Sequence, residues 1–417
     1  MSQKYPGGII SKTAPVTVGP VGPVGGEGGS APGVWTLTQA LELNKQNLWP
    51  KPLIPKALYS WGRNNLGQLG LGDTVARSSP VQVGALTTWS QIASGGGSYG
   101  FSVAIKTDGT MWSWGYNGSG QLGTNNLTYR SSPVQIGALT AWSQIAAGFN
   151  FCLAVKNDGT MWSWGNNNAG RLGLNDTANR SSPVQIGALT TWYQIAAGQQ
   201  FSVAIKTDGT MWSWGYNGSG QLGLGDAASR SSPVQIGALT AWSQVAAGAA
   251  FSLAVKTDGT MWSWGLNNSG QLGLGDGGSY TQRSSPVQIG ALTTWSKIAG
   301  GGAHSLAIKT DGTMWSWGNN ADGQLGLGNV VARSSPVQVG ALTTWSLVAG
   351  GDGFTFAIKT NGTLWSWGLN QFGSLGLNDI GTPYNRSSPV QVGALTTWSR
   401  LPKIPTSLAG LALANSI

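Results

Sequence analysis

The chain has little charge, one cysteine and one histidine. Only 9% of its 417 residues are charged, against roughly 25% in ordinary globular chains. Because Cys152 is the only cysteine, an internal disulfide framework and a cysteine-based zinc cluster are excluded. Cys152 lies in an apolar run, F-C-L-A-V, so we interpret it as a buried thiol.

Long apolar runs are also missing. Residues 1–12 contain no basic segment followed by an apolar run, so we predict no secretory signal. The apolar tail after Thr406 is too short to cross a bilayer. We therefore expect no membrane span.

What the sequence has instead is a repeat of about fifty residues. The tripeptide Ser-Trp-Gly recurs in steps of 53, 50, 50, 50, 53 and 50 residues, with its tryptophan at Trp61, Trp114, Trp164, Trp214, Trp264, Trp317 and Trp367. Twenty of the 22 tryptophans occupy three fixed places in this repeat. Such a period is typical of repeat architectures.

The net charge of +9 is distributed by the same repeat. Thirteen of the 23 basic residues and ten of the 14 acidic residues occupy fixed repeat positions. Charge is therefore spread evenly instead of forming one basic patch, and we expect no nucleic-acid partner.

Each unit contains four short strand-like segments, as residues 142–187 illustrate. The first, W-S-Q-I-A-A-G, has small residues suited to a crowded centre. Asp158-Gly159 joins the second and third segments and predicts a hairpin in which both turn residues have positive φ. Pro183 is expected to open the fourth strand, which then forms an outer edge because proline cannot donate to a ladder.

Seven such units predict an all-β fold, a seven-bladed β-propeller with four antiparallel strands per blade. A solenoid would need capping repeats, and none is visible. The first unit lacks its first two strands, whereas the last unit ends with extra strand-like segments. We therefore predict one blade closed by both chain ends, in which strands near 398–402 and 407–414 pair with strands near 57–62 and 79–83.

Residues 1–56 do not belong to the repeat, so we divide the chain into an extended N-terminal arm, 1–56, and a propeller, 57–417. The Gly/Pro-rich composition of segment 19–33 predicts a tether. A short amphipathic helix is expected after it, capped by Thr36 or Thr38 and ended by Pro50. Its candidate anchor residues are Trp35, Leu37, Leu41, Leu48 and Trp49. We expect this segment to dock on the propeller or on a partner.

The runs G-x-x-x-x-G-Q-L-G-L-G-D and A-I-K-T-D-G-T-x-W-S-W-G resemble the regulator of chromosome condensation repeat over residues 57–417. The resemblance implies a seven-bladed propeller. Family members include exchange factors for a small nuclear GTPase that also bind nucleosomes, ligase-associated modules and secreted bacterial β-lactamase inhibitors. This chain has no long blade insertion and no basic nuclear-targeting run, which argues against exchange activity.

The N-terminal arm carries a second resemblance. G-V-W-T-L-T-Q, followed by W-P, is similar to short segments of structural proteins of marine tailed phages. There, such a segment joins a display domain to the particle.

Chemistry-bearing motifs are scarce. The single histidine, His304, is interpreted as a solvated loop residue between two strands. No G-x-S-x-G nucleophile elbow and no phosphate-binding loop with its lysine is present. We therefore predict no enzymatic activity, no cofactor and no metal site.

The loops vary between repeats while the framework stays nearly constant. Binding often resides on loops held by a rigid scaffold; drift at unconstrained positions is the alternative. The candidate ligand-facing residues are Tyr99, Tyr116, Phe149, Asn150, Gln199, Gln200, Tyr216, His304, Asp352 and Phe354.

Two functional hypotheses remain open. In the first, the chain is a non-enzymatic virion component: a propeller displayed as a decoration, fibre or adhesin. Its arm would bind other virion proteins, and its face a host-surface protein or glycan. In the second, it is a free bacterial protein–protein interaction propeller of the inhibitor or scaffold type, extracellular or cytoplasmic. A small-GTPase exchange factor is a more distant third.

Overall fold

The computed structural model describes residues 54–416 except 86, 97–98, 239, 280 and 403–408, together with three short strands nearer the N-terminus. The chain forms two compact units, Met1–Pro55 and Lys56–Ile417. In the first unit, β1 (Lys4–Tyr5) pairs antiparallel with β2 (Gly8–Ser11), and β2 pairs parallel with β3 (Val34–Thr36).

The helix expected near the end of the arm falls outside the described residues, as do its candidate anchors Leu37, Leu41, Leu48 and Trp49. Trp35 and Thr36 lie in strand β3. The anchoring role of this segment stays a prediction.

The second unit consists of short strands that follow one another in sets of four. Blade 1 contains β4 (Lys56–Gly62), β5 (Arg77–Gln82), β30 (Trp398–Arg400) and β31 (Ala409–Asn415). Blade 2 contains β6 (Trp89–Gly95), β7 (Phe101–Lys106), β8 (Met111–Gly115) and β9 (Arg130–Gln135). Blade 3 contains β10 (Trp142–Ala147), β11 (Phe151–Lys156), β12 (Met161–Gly165) and β13 (Arg180–Gln185). Blade 4 contains β14 (Trp192–Ala197), β15 (Phe201–Lys206), β16 (Met211–Gly215) and β17 (Arg230–Gln235).

Blades 5, 6 and 7 repeat the same order. Blade 5 contains β18 (Trp242–Ala247), β19 (Phe251–Lys256), β20 (Met261–Gly265) and β21 (Arg283–Gln288). Blade 6 contains β22 (Trp295–Gly300), β23 (His304–Lys309), β24 (Met314–Gly318) and β25 (Arg333–Gln338). Blade 7 contains β26 (Trp345–Gly350), β27 (Phe354–Lys359), β28 (Leu364–Gly368) and β29 (Arg386–Gln391). Two single-turn 3₁₀ helices, Asn168–Gly170 and Thr382–Tyr384, lie in the connections before β13 and β29.

The described strands of this unit form seven four-stranded sheets, and in each the neighbours are antiparallel. This confirms the seven-bladed propeller. In blade 1 the order is β30-β31-β4-β5, and β31 pairs with β4 from Ala409↔Gly62 to Asn415↔Lys56. The predicted closure by both chain ends is therefore confirmed, and it leaves the ring without a terminal open sheet.

The first strand of each blade lies at the centre of the ring. First strands of successive blades contact one another, for example β10 with β14 and β14 with β18. They line a central cavity of about 210 Å³ with small side chains such as Ala146, Ala196 and Ala247. Small residues are needed here because the blades converge.

Neighbouring blades are joined through the buried tryptophan of Ser-Trp-Gly. Trp164 of blade 3 is fully buried and donates its indole N–H to Gln121 O of blade 2 at 2.9 Å. A Cβ added to Gly123, whose φ is +71°, would lie 2.8 Å from Trp164 Nε1, so this glycine is required for the blades to meet. Cys152 is buried and its thiol contacts the same carbonyl at 3.6 Å, which confirms the buried-thiol interpretation.

The Asp-Gly hairpins are present, but their geometry differs from the prediction. Gly159 has φ of +78°, whereas Asp158 is not in the left-handed region. Asp158 Oδ1 instead accepts hydrogen bonds from Thr160 N at 2.9 Å and Thr160 Oγ1 at 2.7 Å. The expectation of two positive φ angles is wrong because the loop between Lys156 and Thr160 has three residues, of which only Gly159 is left-handed, and the aspartate stabilises the loop through its side chain.

The fourth strand is the outer edge of each blade, as predicted, but it does not begin at proline. In blade 3 it begins at Arg180, which pairs with Gly165, while Val184 pairs with Ser163. Three residues, including Pro183, therefore face a single residue of β12. This irregular part of an edge strand tolerates a residue without an N–H donor.

Candidate functional site

The connections between first and second strands and those between third and fourth strands lie on the same side of the ring. In blade 2 these are residues 96–100 and 116–129, and Tyr116 N donates to Gly100 O at 3.0 Å. In blade 3, Asn166 N donates to Asn150 O at 2.8 Å. We call the described residues of these connections the loop face. The variable residues found from the sequence all come from these connections or from the strand ends that they join.

Backbone hydrogen bonds hold the loop face from blade to blade. They join the first connections of successive blades: Phe149 N to Gln199 O (3.3 Å), Gln199 N to Ala249 O (2.9 Å), Ala249 N to Gly301 O (3.2 Å) and Gly302 N to Gly351 O (3.0 Å). Because main-chain groups make these bonds, the side chains here vary without loosening the scaffold.

Three tyrosines form an exposed cluster on blade 2. The rings of Tyr99 and Tyr116 are 5.1 Å apart, and those of Tyr116 and Tyr129 are 4.9 Å apart. Tyr99 is 52% exposed and Tyr129 is 46% exposed. Burial raises the pKa of Tyr116, with a smaller contribution from Tyr129. Since the rings touch, they leave no gap between them and present one aromatic surface to solvent.

Tyr129 was missed by the sequence reasoning. The sequence feature that could have revealed it is an aromatic residue directly before Arg130, where the other repeats have residues such as Ala76, Asn179 and Ser229.

Polar amide side chains continue the surface onto blades 3 and 4. Gln121 Nε2 donates to Asn150 Oδ1 at 3.3 Å, across the boundary between blades 2 and 3. Gln200 is exposed, whereas Phe149 and Gln199 are half-buried. The structure therefore brings these predicted residues to the same side of the ring as the tyrosine cluster.

Arg171 is a buried cation that the sequence reasoning also missed. It is 4% exposed and stands where blades 2 and 4 have Gln121 and Gln221. Its Nε donates to Asn168 O at 2.9 Å and its Nη2 contacts Gln200 Oε1 at 3.5 Å. Desolvation lowers the pKa of Arg171 to about 10. The sequence feature that could have revealed this residue is R-L-G, which replaces the repeated Q-L-G.

Two carboxylates lie on the part of the loop face formed by blades 6 and 7. Burial raises the pKa of Asp322, and burial followed by the charge of Asp322 raises the pKa of Asp352. Asn385 Nδ2 donates to Asp322 Oδ1 at 3.1 Å. Asp352, a predicted ligand-facing residue, does reach solvent.

Two predicted loop residues are not loop residues. His304 and Phe354 are the first residues of β23 and β27, and both are fully buried. His304 fills the position that Phe251 fills in blade 5, and its Nε2 lies 3.1 Å from Thr355 Oγ1. The interpretation of His304 as solvated is wrong, because the second strand starts at once after a short connection. Burial lowers its pKa to about 4.

Tyr216, the remaining predicted residue, is 42% exposed on blade 4. Among the described residues, no group of three or more His, Cys, Asp or Glu side chains is placed to hold a metal ion. Within the same residues, no helix is long and apolar enough to cross a membrane.

Seven near-identical blades whose connections vary on one side define a β-propeller built from a tandem repeat. The family model of the RCC1-like domain matches residues 57–407. The chain therefore belongs to the RCC1-like domain family, as the sequence resemblance indicated.

Curated relatives match only part of the ring. The dog X-linked retinitis pigmentosa GTPase regulator is 38% identical over 79 residues, 19% of this chain and 8% of the relative. The human probable E3 ubiquitin-protein ligase HERC3 is 37% identical over 81 residues, 19% of this chain and 7% of the relative. Each match thus spans less than a tenth of the relative's length.

Solved structures share the complete fold. Yeast RCC1 (Prp20), in a structure with bound Kap60, superposes with a TM-score of 0.77 at 21% identity, covering 87% of this chain and 89% of that one. Human WBSCR16 superposes with a TM-score of 0.76 at 23% identity, covering 87% and 99%. At these identities the likeness concerns the fold alone.

Proposed function

We propose that this chain is a non-enzymatic binding protein whose loop face takes a protein partner. The observation that carries the proposal is the exposed cluster of Tyr99, Tyr116 and Tyr129 on an otherwise repetitive ring. Tyrosine is enriched in protein interfaces because it supplies a large contact area and a hydroxyl at low entropic cost. Backbone hydrogen bonds from Tyr99 N to Gly96 O at 2.8 Å and from Tyr116 N to Gly100 O at 3.0 Å hold two of the three residues in place.

The chemistry of the described residues supports binding over catalysis. His304 is buried, and its side-chain contact is with Thr355. Asp322 and Asp352 neighbour each other on the loop face, but no histidine or serine nucleophile contacts them in the described part of the chain. An acid–base or nucleophilic mechanism needs such partners within hydrogen-bond reach.

The named relatives support the same class. One solved structure is of RCC1 (Prp20) bound to Kap60, and another was solved together with the binding properties of Prp20p to Gsp1p and histones. These partners belong to those proteins. What we carry over is that a ring of this fold serves as a protein-binding surface.

The test compares the tyrosine cluster with a tyrosine elsewhere on the surface. Tyr193, in β14, is 51% exposed and lies near the opposite ends of the strands. Proteins captured from the native host by cross-linking are quantified for wild type, for the triple variant Tyr99→Ser, Tyr116→Ser, Tyr129→Ser, and for Tyr193→Ser. A specific partner retained by wild type and Tyr193→Ser but lost from the triple variant is expected. Equal retention by all three would contradict the proposal.

We further propose that residues 1–56 attach the propeller to a virus particle, where the ring is displayed. This finer proposal rests on the sequence of residues 33–52, and the relatives named above add nothing to it. A free bacterial interaction propeller is the alternative. Electron microscopy of the native assembly distinguishes them: ordered contacts of residues 1–56 with another particle protein support display, whereas a free monomer contradicts it. A nucleotide-release assay with small GTPases tests the exchange-factor hypothesis.

A further inference from the structure

Five blades contain the same ion pair at the start of the outer strand. The arginine of R-S-S-P bonds an aspartate in the preceding connection, as in Arg180–Asp176 at 2.5 Å and Arg230–Asp226 at 2.6 Å. Arg180 Nη1 also donates to Ala178 O at 2.7 Å. The pair is partly exposed, and each guanidinium is neutralised within its own blade. The other members are Arg77–Asp73, Arg283–Asp276 and Arg386–Asp379.

Blades 2 and 6 lack this ion pair because asparagine replaces the aspartate, at Asn126 and Asn329. Asn329 uses its side chain within the loop, where Oδ1 accepts from Val331 N at 3.0 Å. In the described part of the chain, the guanidinium groups of Arg130 and Arg333 have no carboxylate partner, and Arg130 Nε is buried without any hydrogen-bond partner. A guanidinium is charged at any physiological pH.

Arg333 lies in a groove of about 510 Å³ on the rim, between blades 6 and 7. Its walls include Leu327 and the half-buried Trp365, with Gln338 as a polar group. Trp345 also borders the groove but is only 3% exposed. Similar grooves of about 480 and 530 Å³ contain Arg77 and Arg180. Those two arginines are neutralised by aspartate, so the grooves share a shape and differ in charge.

The groove is poorly suited to an extended peptide. Its edge strand, β25, contains Pro336, and the register of β25 shifts against β24 between Ser316 and Gly318. Strand addition requires a regular row of free N–H and C=O groups. An open, preformed groove with aromatic walls and a few polar groups instead suits a compact ligand.

We propose that the Arg333 groove binds the carboxylate of an acidic saccharide. The guanidinium matches a carboxylate in charge and forms two parallel hydrogen bonds with it. The exposed part of Trp365 contacts the apolar face of a sugar ring, and Gln338 and Ser388 hydrogen-bond its hydroxyl groups. This site lies on the rim and does not depend on the loop-face partner.

The experiment titrates the full chain by calorimetry with three probes: trigalacturonate, the neutral maltotriose and the acidic peptide triglutamate. Trigalacturonate is expected to bind at one site per chain, more tightly than either other probe. Equal binding of maltotriose, or no binding of trigalacturonate, would overturn the proposal. Equal binding of triglutamate would also overturn it, in favour of a general anion or peptide site.

Matched variants come from the chain itself. Asn329→Asp installs the aspartate found in five blades, and it should weaken trigalacturonate binding at least about tenfold, the range for one charge-assisted pair. Asp176→Asn frees Arg180, which lies in a groove of similar size, and should instead add a second site. Arg77→Ala, which removes a guanidinium already neutralised by Asp73, should change nothing.

Thermal melting of each variant first confirms that it is folded. Unchanged binding in Asn329→Asp would overturn the assignment to Arg333. Unchanged stoichiometry in Asp176→Asn would contradict the claim that neutralisation of the arginine prevents binding in the other grooves.

Discussion

The framework, by which we mean the residues that are the same in every blade, differs from the loop face in its contacts. In the framework, one residue type makes the same contact blade after blade: Trp114, Trp164 and Trp264 each donate to a carbonyl of the preceding blade. On the loop face, Tyr99 and Gln200 occupy the same kind of connection and share no contact pattern. Stability is therefore supplied by the repeated part, which leaves the connections free to differ.

His304 and Arg171 occupy framework positions next to the loop face, but they differ from the residue found there in other blades. Each replaces a repeated residue, phenylalanine or glutamine, and each is buried. Burying a polar or charged group without full compensation costs stability. We therefore expect substitutions of framework residues to be costly, substitutions of loop residues to be cheap, and these two positions to behave unlike either group.

The largest effect is expected from removing the last strand. Deleting residues 409–417 removes β31, which pairs with β4 along its whole length, and exposes the edges of β4 and β30. We expect insoluble or partly unfolded protein, measured by size-exclusion chromatography and calorimetry. A soluble truncation with a cooperative transition would show that the ring does not need both ends.

A single framework tryptophan should come next. Trp264→Ala leaves a large cavity, with an expected cost of about 3–5 kcal/mol in the free energy of unfolding. Trp214 is the matched control, because its indole N–H has no partner in the described residues whereas that of Trp264 donates to Gln221 O. Trp214→Ala should cost about 1 kcal/mol less. Denaturant unfolding measures both, and equal costs would count against a role for the hydrogen bond.

His304 should make stability depend on pH. Its pKa is lowered from 6.5 to about 4 by burial, so the folded state stays neutral where the unfolded chain takes up a proton. Stability is therefore complete above pH 6.5 and is lost as the pH falls towards 4, by about 3 kcal/mol in all. His304→Phe, the residue of blade 5, should remove this loss.

The comparison is between melting curves of wild type and His304→Phe from pH 7 to pH 4. Asp322 and Asp352 are present in both proteins, so their titration cancels in the difference. Parallel pH profiles would contradict the assignment to His304.

The smallest effect concerns Arg171. Arg171→Gln restores the repeated residue and removes a buried cation that has no carboxylate partner among the described residues, so we expect a gain of about 1 kcal/mol. The converse change, Gln221→Arg in blade 4, should destabilise by a similar amount. Chemical unfolding of the two variants checks this, and a loss of stability in Arg171→Gln would mean that Gln200 and Asn168 fully compensate the cation.

Local features of the fold were predictable to different degrees. The position of each Asp-Gly hairpin follows from local chain preference, and the structure confirms it. The aspartate's backbone conformation did not follow, because its hydrogen bond to Thr160 decides the turn. Likewise Pro183 marks the outer strand, but the strand starts earlier at Arg180 because the bulge absorbs the proline.

The number of blades, the order of their strands and the closure by both ends could be predicted from the repeat alone, because a period of fifty residues places the same contacts between each pair of neighbouring blades. Which non-repeated residues contact one another is visible in the folded ring and not in the repeat. Tyr129 joins Tyr99 and Tyr116 across two connections, and Arg333 lies in a groove shared by two blades. Such meetings depend on the curvature of the ring and on the path of each connection, which a repeat pattern does not encode.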